Sequence, residues 1–197
     1  MASNKAADAL FGSELAEVEA EQPDLVGFSI LSEQNLLYAL ALGKVIHHRF
    51  KIPIALGGAM MSHLEPVELL QAFGWLDYVF FGEAEQNLLD FIDAWPRQNF
   101  ETVSGLACRR GGKINECCQA PPLPLDQLPY PNFDDFPLQD YLAPEPVLPI
   151  ITCRGCYWGK CTFCSHTRPY GAVVRARRPE DIVDEMVHQI ERTGVVS

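Results

Sequence analysis

The chain has 197 residues, of which 48% are hydrophobic and 21% charged, enough apolar side chains for the core of one or two domains. Its formal net charge of −11 excludes broad, non-specific nucleic-acid binding, which needs a basic surface. No apolar stretch approaches the roughly 20 residues of a membrane span, and the acidic N-terminus has no signal-peptide pattern, so we expect a cytoplasmic protein without membrane partners.

The first half of the chain alternates short apolar runs with amphipathic runs. The apolar runs predict buried strands, because strands of a parallel sheet are covered on both faces, at 24–31, 53–58 and 77–82. The amphipathic runs predict helices at 34–50, 65–73 and 85–94. This alternation predicts a parallel, doubly wound α/β sheet, a partial Rossmann-like domain that we place at residues 1–98.

Residues 103–117 have the pattern of a β-hairpin that turns at Gly111-Gly112. Nine of the fifteen prolines lie between Pro121 and Pro149, which predicts a stiff linker. We assign the hairpin and the linker to residues 99–146.

The remaining residues, 147–197, predict the start of a second domain, with a strand at 147–152 and a helix at 179–192. One strand, a loop and a helix cannot bury a core, so we expect this second domain to be cut short. The interval between Pro146 and Pro179 contains six basic residues and no acidic one, which indicates either a site for an anionic ligand or a solvated basic face.

Four of the seven cysteines lie within residues 153–164, which indicates metal or redox chemistry in a chain without a secretory signal. All four thiolates could hold the structural zinc of an interaction domain. However, zinc ribbons separate their two C-x2-C pairs by about 15–20 residues, whereas only four residues separate them here. The spacing C-x4-C-x2-C suits three ligands of a [4Fe–4S] cluster, with one iron left open for catalysis. The four candidate ligands are Cys153, Cys156, Cys161 and Cys164.

Residues 155–165 resemble the cluster loop of cobalamin-associated radical S-adenosylmethionine (SAM) enzymes. The usual pattern is C-x3-C-x2-C with an aromatic residue before the last cysteine, and this chain has one extra residue between the first two cysteines. The resemblance implies that Cys156, Cys161 and Cys164 ligate the cluster, that SAM chelates the open iron, and that Phe163 packs beside the adenine. It also implies that residues 147–197 are the first β/α unit of a radical SAM partial barrel.

The same resemblance implies the reaction. A reduced cluster would cleave SAM to methionine and a 5′-deoxyadenosyl radical, which abstracts hydrogen from a small-molecule or peptide substrate during methyl transfer or a radical rearrangement. Flavodoxin or ferredoxin would supply the electron. Because the later barrel strands are absent, the alternative is an inactive truncated fragment, and we expect no turnover by residues 1–197 alone.

The upstream residues resemble cobalamin-binding domains of the methionine synthase type, which carry S-x-L followed by a glycine pair. Ser29-Ile30-Leu31 and Gly57-Gly58 supply these, with 25 residues between them, and Gly82-Glu83 matches the next loop. The resemblance implies cobalamin binding by Ser29, Leu31, Gly57, Gly58, Gly82 and Glu83. The alternative is that these are ordinary loop residues of a Rossmann-like fold. The family's histidine motif would fall before Met1, so we expect truncation at both ends.

Overall fold

A computed structural model describes residues 5–119 and 121–196, which divide into the units Met1–Pro121 and Pro122–Ser197. The finer division at residues 98 and 146 stays a prediction. No helix in the described part of the chain is both long and apolar enough to cross a bilayer.

Among its described residues, the first unit contains four α-helices and a five-stranded sheet. The helices are α1 (Lys5–Glu21), α2 (Glu33–Phe50), α3 (Pro66–Ala72) and α4 (Glu85–Ala94). The strands are β1 (Val26–Ser29), β2 (Ile54–Gly57), β3 (Tyr78–Phe80), β4 (Leu106–Arg110) and β5 (Lys113–Glu116). Short 3₁₀ turns follow β2 and α4, at Ala59–His63 and Trp95–Arg97.

The strands lie in the order β1-β2-β3-β4-β5. β1, β2 and β3 are parallel, with Val26 opposite Ile54 and Ala55 opposite Tyr78, so the predicted parallel α/β sheet is confirmed. The hairpin of β4 and β5 also forms as predicted and joins the sheet, because β4 pairs antiparallel with β3. The result is a mixed sheet with β1 at one edge and β5 at the other.

α2 begins and ends where its capping residues dictate. The Ser32 hydroxyl accepts a hydrogen bond from the Asn35 amide at 3.4 Å, and Lys51 closes the helix in a left-handed conformation with its amide bonded to the His47 carbonyl. The helix buries Leu42 and Ile46 against the sheet. These anchor a core of apolar side chains from α1, α2, α3 and the strands.

The second core lies against β3 and β4 and is mainly aromatic. Phe91 of α4 is 1% exposed and stacks on Phe100 with ring centroids 4.8 Å apart. Its ring also meets Tyr78 edge-on at 5.0 Å. Burial, followed by the charge of Asp77, raises the pKa of Tyr78 to about 12.

Helix α1 is a feature that the sequence did not reveal, because only the acidic character of the N-terminus stood out there. Ala7, Phe11 and Leu15 are its buried residues, and the helix is kinked at Phe11, where φ is −126° and ψ is 23°. α1 lies against α2, where the Phe11 ring meets Tyr38 edge-on at 5.2 Å. An ion pair 2.8 Å long between Arg49 and Asp8 adds to this contact.

The second unit contains β6 (Cys153–Arg154), α5 (Thr167–Tyr170), β7 (Arg175–Ala176) and α6 (Pro179–Thr193), with 3₁₀ turns at Leu125–Gln127 and Leu138–Asp140. The predicted strand at 147–152 is wrong, since the strand β6 starts only after it. A strand needs a neighbour for its backbone groups, and of this segment only Thr152 is bonded in that way, its carbonyl accepting from the Arg177 amide.

The predicted helix at 179–192 is confirmed as α6. It starts with a proline in its first turn and stops at Gly194, whose amide donates to the Ile190 carbonyl at 2.8 Å. The proline-rich segment packs against it: the Gln189 side chain donates to the Pro131 carbonyl at 2.8 Å, and Arg192 pairs with Asp134.

Candidate functional site

Two of the predicted cobalamin-site segments lie side by side at the carboxyl end of the sheet. Ser29 and Gly57 are paired residues at the ends of β1 and β2. Beyond them the loops interlock, since the Ile30 amide donates to the Gly57 carbonyl at 2.8 Å and the Met60 amide donates to the Ile30 carbonyl at 3.0 Å. In doubly wound sheets this edge is where ligands bind.

Gly58 brings these two loops into contact. It has φ +93°, and an added Cβ would lie 2.5 Å from the Ile30 nitrogen and 2.6 Å from its oxygen. Only glycine fits this position without strain. An added Cβ at Gly57, by contrast, would meet the Phe80 Cβ at 3.6 Å, which is an ordinary contact.

Leu31 projects from this edge immediately before the start of α2. Its side chain is 73% exposed, although leucine usually lies in a core. The edge therefore combines an exposed apolar side chain, the Ser29 hydroxyl and backbone accessible at the glycines. This combination suits a large ligand with both apolar and amide surface.

Gly82 and Glu83 follow β3 at the same end of the sheet. Gly82 has φ +76°, and an added Cβ would lie 2.0 Å from the amide nitrogen of Gln119, so the Gln119 side chain covers this glycine. Asn87, which is 4% exposed, donates to the Glu83 carbonyl at 3.2 Å and fixes the loop. Asn87 and Gln119 carry no sequence signal, because a polar residue in a helix or after a hairpin is usually solvated.

The cysteine loop lies in the second unit between β6 and β7. Cys156 is half-buried, whereas Cys161 and Cys164 are exposed, and all three thiols are free. The Gly159 amide donates to the Cys156 sulfur at 3.5 Å, and the Cys164 amide donates to the Cys161 carbonyl at 3.3 Å. The backbone thus places Cys161 and Cys164 in one turn and gives the Cys156 sulfur a hydrogen-bond donor.

The three thiols do not converge on a point. Within residues 5–119 and 121–196, no group of three His, Cys, Asp or Glu side chains is arranged to hold a metal ion. The donor set nevertheless fits an iron–sulfur cluster, because three free thiols lie on one loop and a cluster bridges wider gaps than one ion. The fourth thiol, Cys153, lies in β6 and is exposed.

Exposed aromatic side chains lie on the same loop as the thiols. Phe163 is 90% exposed and Tyr157 is 88% exposed, while Lys160 lies over the Trp158 ring at 5.7 Å from its centroid. An exposed Phe163 offers a free face for a planar group such as an adenine ring.

The basic stretch around the loop is smaller than the sequence indicated. Arg177 pairs with Glu185, and Arg178 pairs with Asp181 at 2.7 Å. These acidic partners lie on α6, outside the interval that holds the six basic residues. Exposed basic side chains within the loop include Lys160 and Arg168.

The chain is similar to known proteins along most of its length. No protein-family model matches the chain. It is 26% identical to an uncharacterized methyltransferase of Pyrococcus horikoshii, over 91% of this chain and 40% of that protein. It is 27% identical to cytidylyl-2-hydroxyethylphosphonate methyltransferase of Streptomyces wedmorensis, over 88% of this chain and 38% of that protein. It is also 28% identical to anaerobic magnesium-protoporphyrin IX monomethyl ester cyclase of Cereibacter sphaeroides, over 88% of this chain and 29% of that protein.

Several solved structures share the fold, and two of them show what such proteins bind. One is the cobalamin-dependent SAM radical enzyme OxsB with aqua-cobalamin and SAM bound, with TM-score 0.70, 19% identity, and coverage of 94% of this chain and 26% of OxsB. The other is the radical SAM methyltransferase TsrM from Kitasatospora setae with cobalamin and a [4Fe–4S] cluster bound, with TM-score 0.62, 20% identity, and coverage of 92% of this chain and 38% of TsrM.

The chain therefore spans 40% or less of the length of each of these proteins. Within that span it shares the fold of OxsB and TsrM, so the resemblance found in the sequence is confirmed at the level of the fold.

Proposed function

We propose that this chain supplies the cobalamin-binding-like domain and the cluster loop of a radical SAM enzyme that performs methyl transfer or a radical rearrangement. The observation that carries the proposal is the combination, in one chain, of the interlocked loops at Ser29 and Gly57-Gly58 with three free thiols spaced C-x4-C-x2-C. The shared fold supports it, because the matches to OxsB and TsrM cover 94% and 92% of this chain.

In this proposal Cys156, Cys161 and Cys164 hold a [4Fe–4S] cluster. When bound, the cluster and SAM supply one-electron cleavage of a carbon–sulfur bond of SAM. The chain's own residues prepare the site. The Gly159 amide donates a hydrogen bond to the Cys156 sulfur, while Phe163 offers its exposed ring to the adenine.

Cobalamin would bind at the carboxyl edge of β1, β2 and β3. There Ser29 offers a hydroxyl, Leu31 an exposed apolar side chain, and Gly57 a backbone without a covering side chain. Gly82 and Glu83 extend the same edge after β3. The role of Gly58 in this proposal is indirect, since it holds the first two loops together.

The electron donor would be an acidic one-electron carrier such as flavodoxin or ferredoxin. The exposed side chains of Lys160 and Arg168 lie on the loop that holds the exposed Cys161 and Cys164, so a negatively charged carrier is attracted to the face where the cluster sits. The substrate is a small molecule or a peptide.

Anaerobic reconstitution with iron and sulfide, followed by metal analysis and visible absorption, tests the cluster. We expect iron and sulfide in cluster stoichiometry with broad visible absorption. Incubation of the whole protein that contains this chain with SAM and dithionite then tests for the formation of 5′-deoxyadenosine. A preparation that takes up one zinc through its four clustered thiols and no iron–sulfur cluster would contradict the proposal.

Titration with hydroxocobalamin tests the other cofactor independently. We expect saturable binding, measured by the change in the visible absorption of the cobalamin. The matched variant is Gly57→Ala, which the fold tolerates but which places a methyl group on the proposed contact surface, so binding should weaken several-fold. Equal binding by both proteins would remove Gly57 from the site.

A further inference from the structure

The loop that carries the cysteines is closed by a very short neck. β6 and β7 contribute two residue pairs, Cys153 with Ala176 and Arg154 with Arg175. One more backbone bond, from the Arg177 amide to the Thr152 carbonyl at 2.9 Å, extends the neck. So short a ladder does not by itself fix a long exposed loop.

The Arg177 side chain makes further hydrogen bonds at the neck of the loop. Its Nη1 donates to the Ile151 carbonyl at 3.1 Å and to the Glu185 carboxylate, while its Nη2 donates to the Asp181 carbonyl at 3.2 Å. One guanidinium thus joins the segment before β6, the residue that follows β7, and α6. The Tyr130 ring lies 5.9 Å from the guanidinium carbon.

The ion pair is almost fully buried. The Arg177 side chain is 8% exposed and the Glu185 side chain is 2% exposed, in a unit whose cysteine loop is mostly exposed. A buried charge without its partner is strongly unfavourable, so the two side chains hold each other in place. Glu185 lies in the middle of α6, so the ion pair attaches the neck to a regular helix.

From this geometry we infer that Arg177 and Glu185 are a positioning pair for the cluster loop. They hold its neck against α6, so that Cys156, Cys161 and Cys164 start from one restricted set of positions when they take up a cluster. The inference rests on the proposed function for the identity of the bound group. The Arg177–Glu185 ion pair and the Arg177 hydrogen bonds to the neck and to α6, which we call the clamp, are present in the metal-free chain.

The experiment compares variants that break the clamp with matched variants that do not. Glu185→Gln removes the charge partner of Arg177, and Arg177→Lys keeps a charge but cannot reach all three acceptors at once. Asp134→Asn is the control for an ion pair, because it breaks the exposed Arg192 pair in the same unit. Gln189→Leu is the control for burial, because Gln189 is 2% exposed on α6 and bonds Pro131 rather than the neck.

Two measurements separate positioning from stability. In the metal-free protein, hydrogen exchange of residues 151–177 should accelerate about tenfold or more in Glu185→Gln and Arg177→Lys, and stay unchanged in both controls. After reconstitution, iron loss to a chelator well below the unfolding temperature should accelerate in the same two variants only.

Each outcome decides a different point. Equal exchange and equal iron loss in Glu185→Gln and Gln189→Leu would overturn the inference, because the pair would then act only through general stability. If Glu185→Gln does not fold, Arg177→Lys decides, and exchange like that of the unaltered protein would overturn the clamp. An unaltered protein that binds no cluster would contradict the proposed function, while hydrogen exchange would still test the clamp.

Discussion

Gly58 approaches the backbone of Ile30 so closely that no side chain fits between them: an added Cβ would lie 2.5 Å from the Ile30 nitrogen. The second glycine of the pair is therefore required by the fold, whereas Gly57 has room for a methyl group. The two glycines of the motif thus serve different purposes. Gly58 joins the two loops, and Gly57 remains available to a ligand.

We predict that Gly58→Ala lowers the free energy of unfolding by about 1–3 kcal/mol, because its backbone is left-handed and its Cβ would overlap Ile30. Gly57→Ala is the matched control and should change the free energy by less than about 0.5 kcal/mol. Urea unfolding followed by circular dichroism measures both. Similar values for the two variants would show that the loops adjust freely.

The cysteine assignment predicts a pattern of cluster loss. Replacing Cys156, Cys161 or Cys164 by Ala should each abolish the visible absorption and most of the iron of the reconstituted protein, because each supplies one thiolate. Cys153→Ala is the control and should retain both. Loss in the Cys153 variant together with retention in one of the other three would identify a different set of ligands.

Truncation of a buried phenylalanine, Phe91, and of an exposed one, Phe163, should have different effects. Phe91→Ala should cost about 3–5 kcal/mol of unfolding free energy, because the ring is 1% exposed and stacks on Phe100. Phe163→Ala should leave stability within about 0.5 kcal/mol, because the ring is 90% exposed. The same variant should weaken SAM binding by the reconstituted protein, measured by calorimetry, and unchanged affinity would remove Phe163 from the adenine site.

Tyr78 predicts a loss of stability at alkaline pH. Its pKa is about 12 in the folded protein, where burial disfavours the phenolate, against about 10 in an unfolded chain. The folded state keeps the Tyr78 proton to a higher pH than the unfolded chain does. The stability that this group contributes is therefore complete below about pH 10 and is lost as pH rises from about 10 to about 12. Unfolding of the unaltered protein and of Tyr78→Phe across this range measures the difference. A difference that does not change with pH would contradict the shift.

The sequence was sufficient for the parts of the fold that depend on apolar patterning. β1, β2 and β3 formed at the predicted apolar runs, and α2 and α4 at the predicted amphipathic ones, because burial on a sheet follows residue type. Apolar patterning gave a wrong strand at 147–152. These residues have no neighbouring strand, and the backbone bond that they make runs from the Arg177 amide to the Thr152 carbonyl. It also passed over α1, whose buried face consists of only three residues.

The sequence named candidate site residues, and the parallel strand order brings two of them together. Ser29 and Gly57 end neighbouring strands and are paired there, while their binding of a ligand stays a prediction. The Arg177–Glu185 pair was not foreseen, since a basic residue in a basic stretch is usually solvated. Nor does spacing along the chain determine how far apart the three thiols lie before a cluster is bound.

The antiparallel hairpin has a consequence for the order in which the chain acquires its structure during synthesis. All residues of the parallel pairings of β1, β2 and β3 are available once residue 80 has left the ribosome, but Phe80 also pairs with Leu106. Until β4 emerges, the aromatic side of the sheet lacks the strand that completes its core. A nascent chain halted before residue 106 should therefore expose Tyr78 and Phe80 and depend on chaperones, whereas one halted after residue 121 should not.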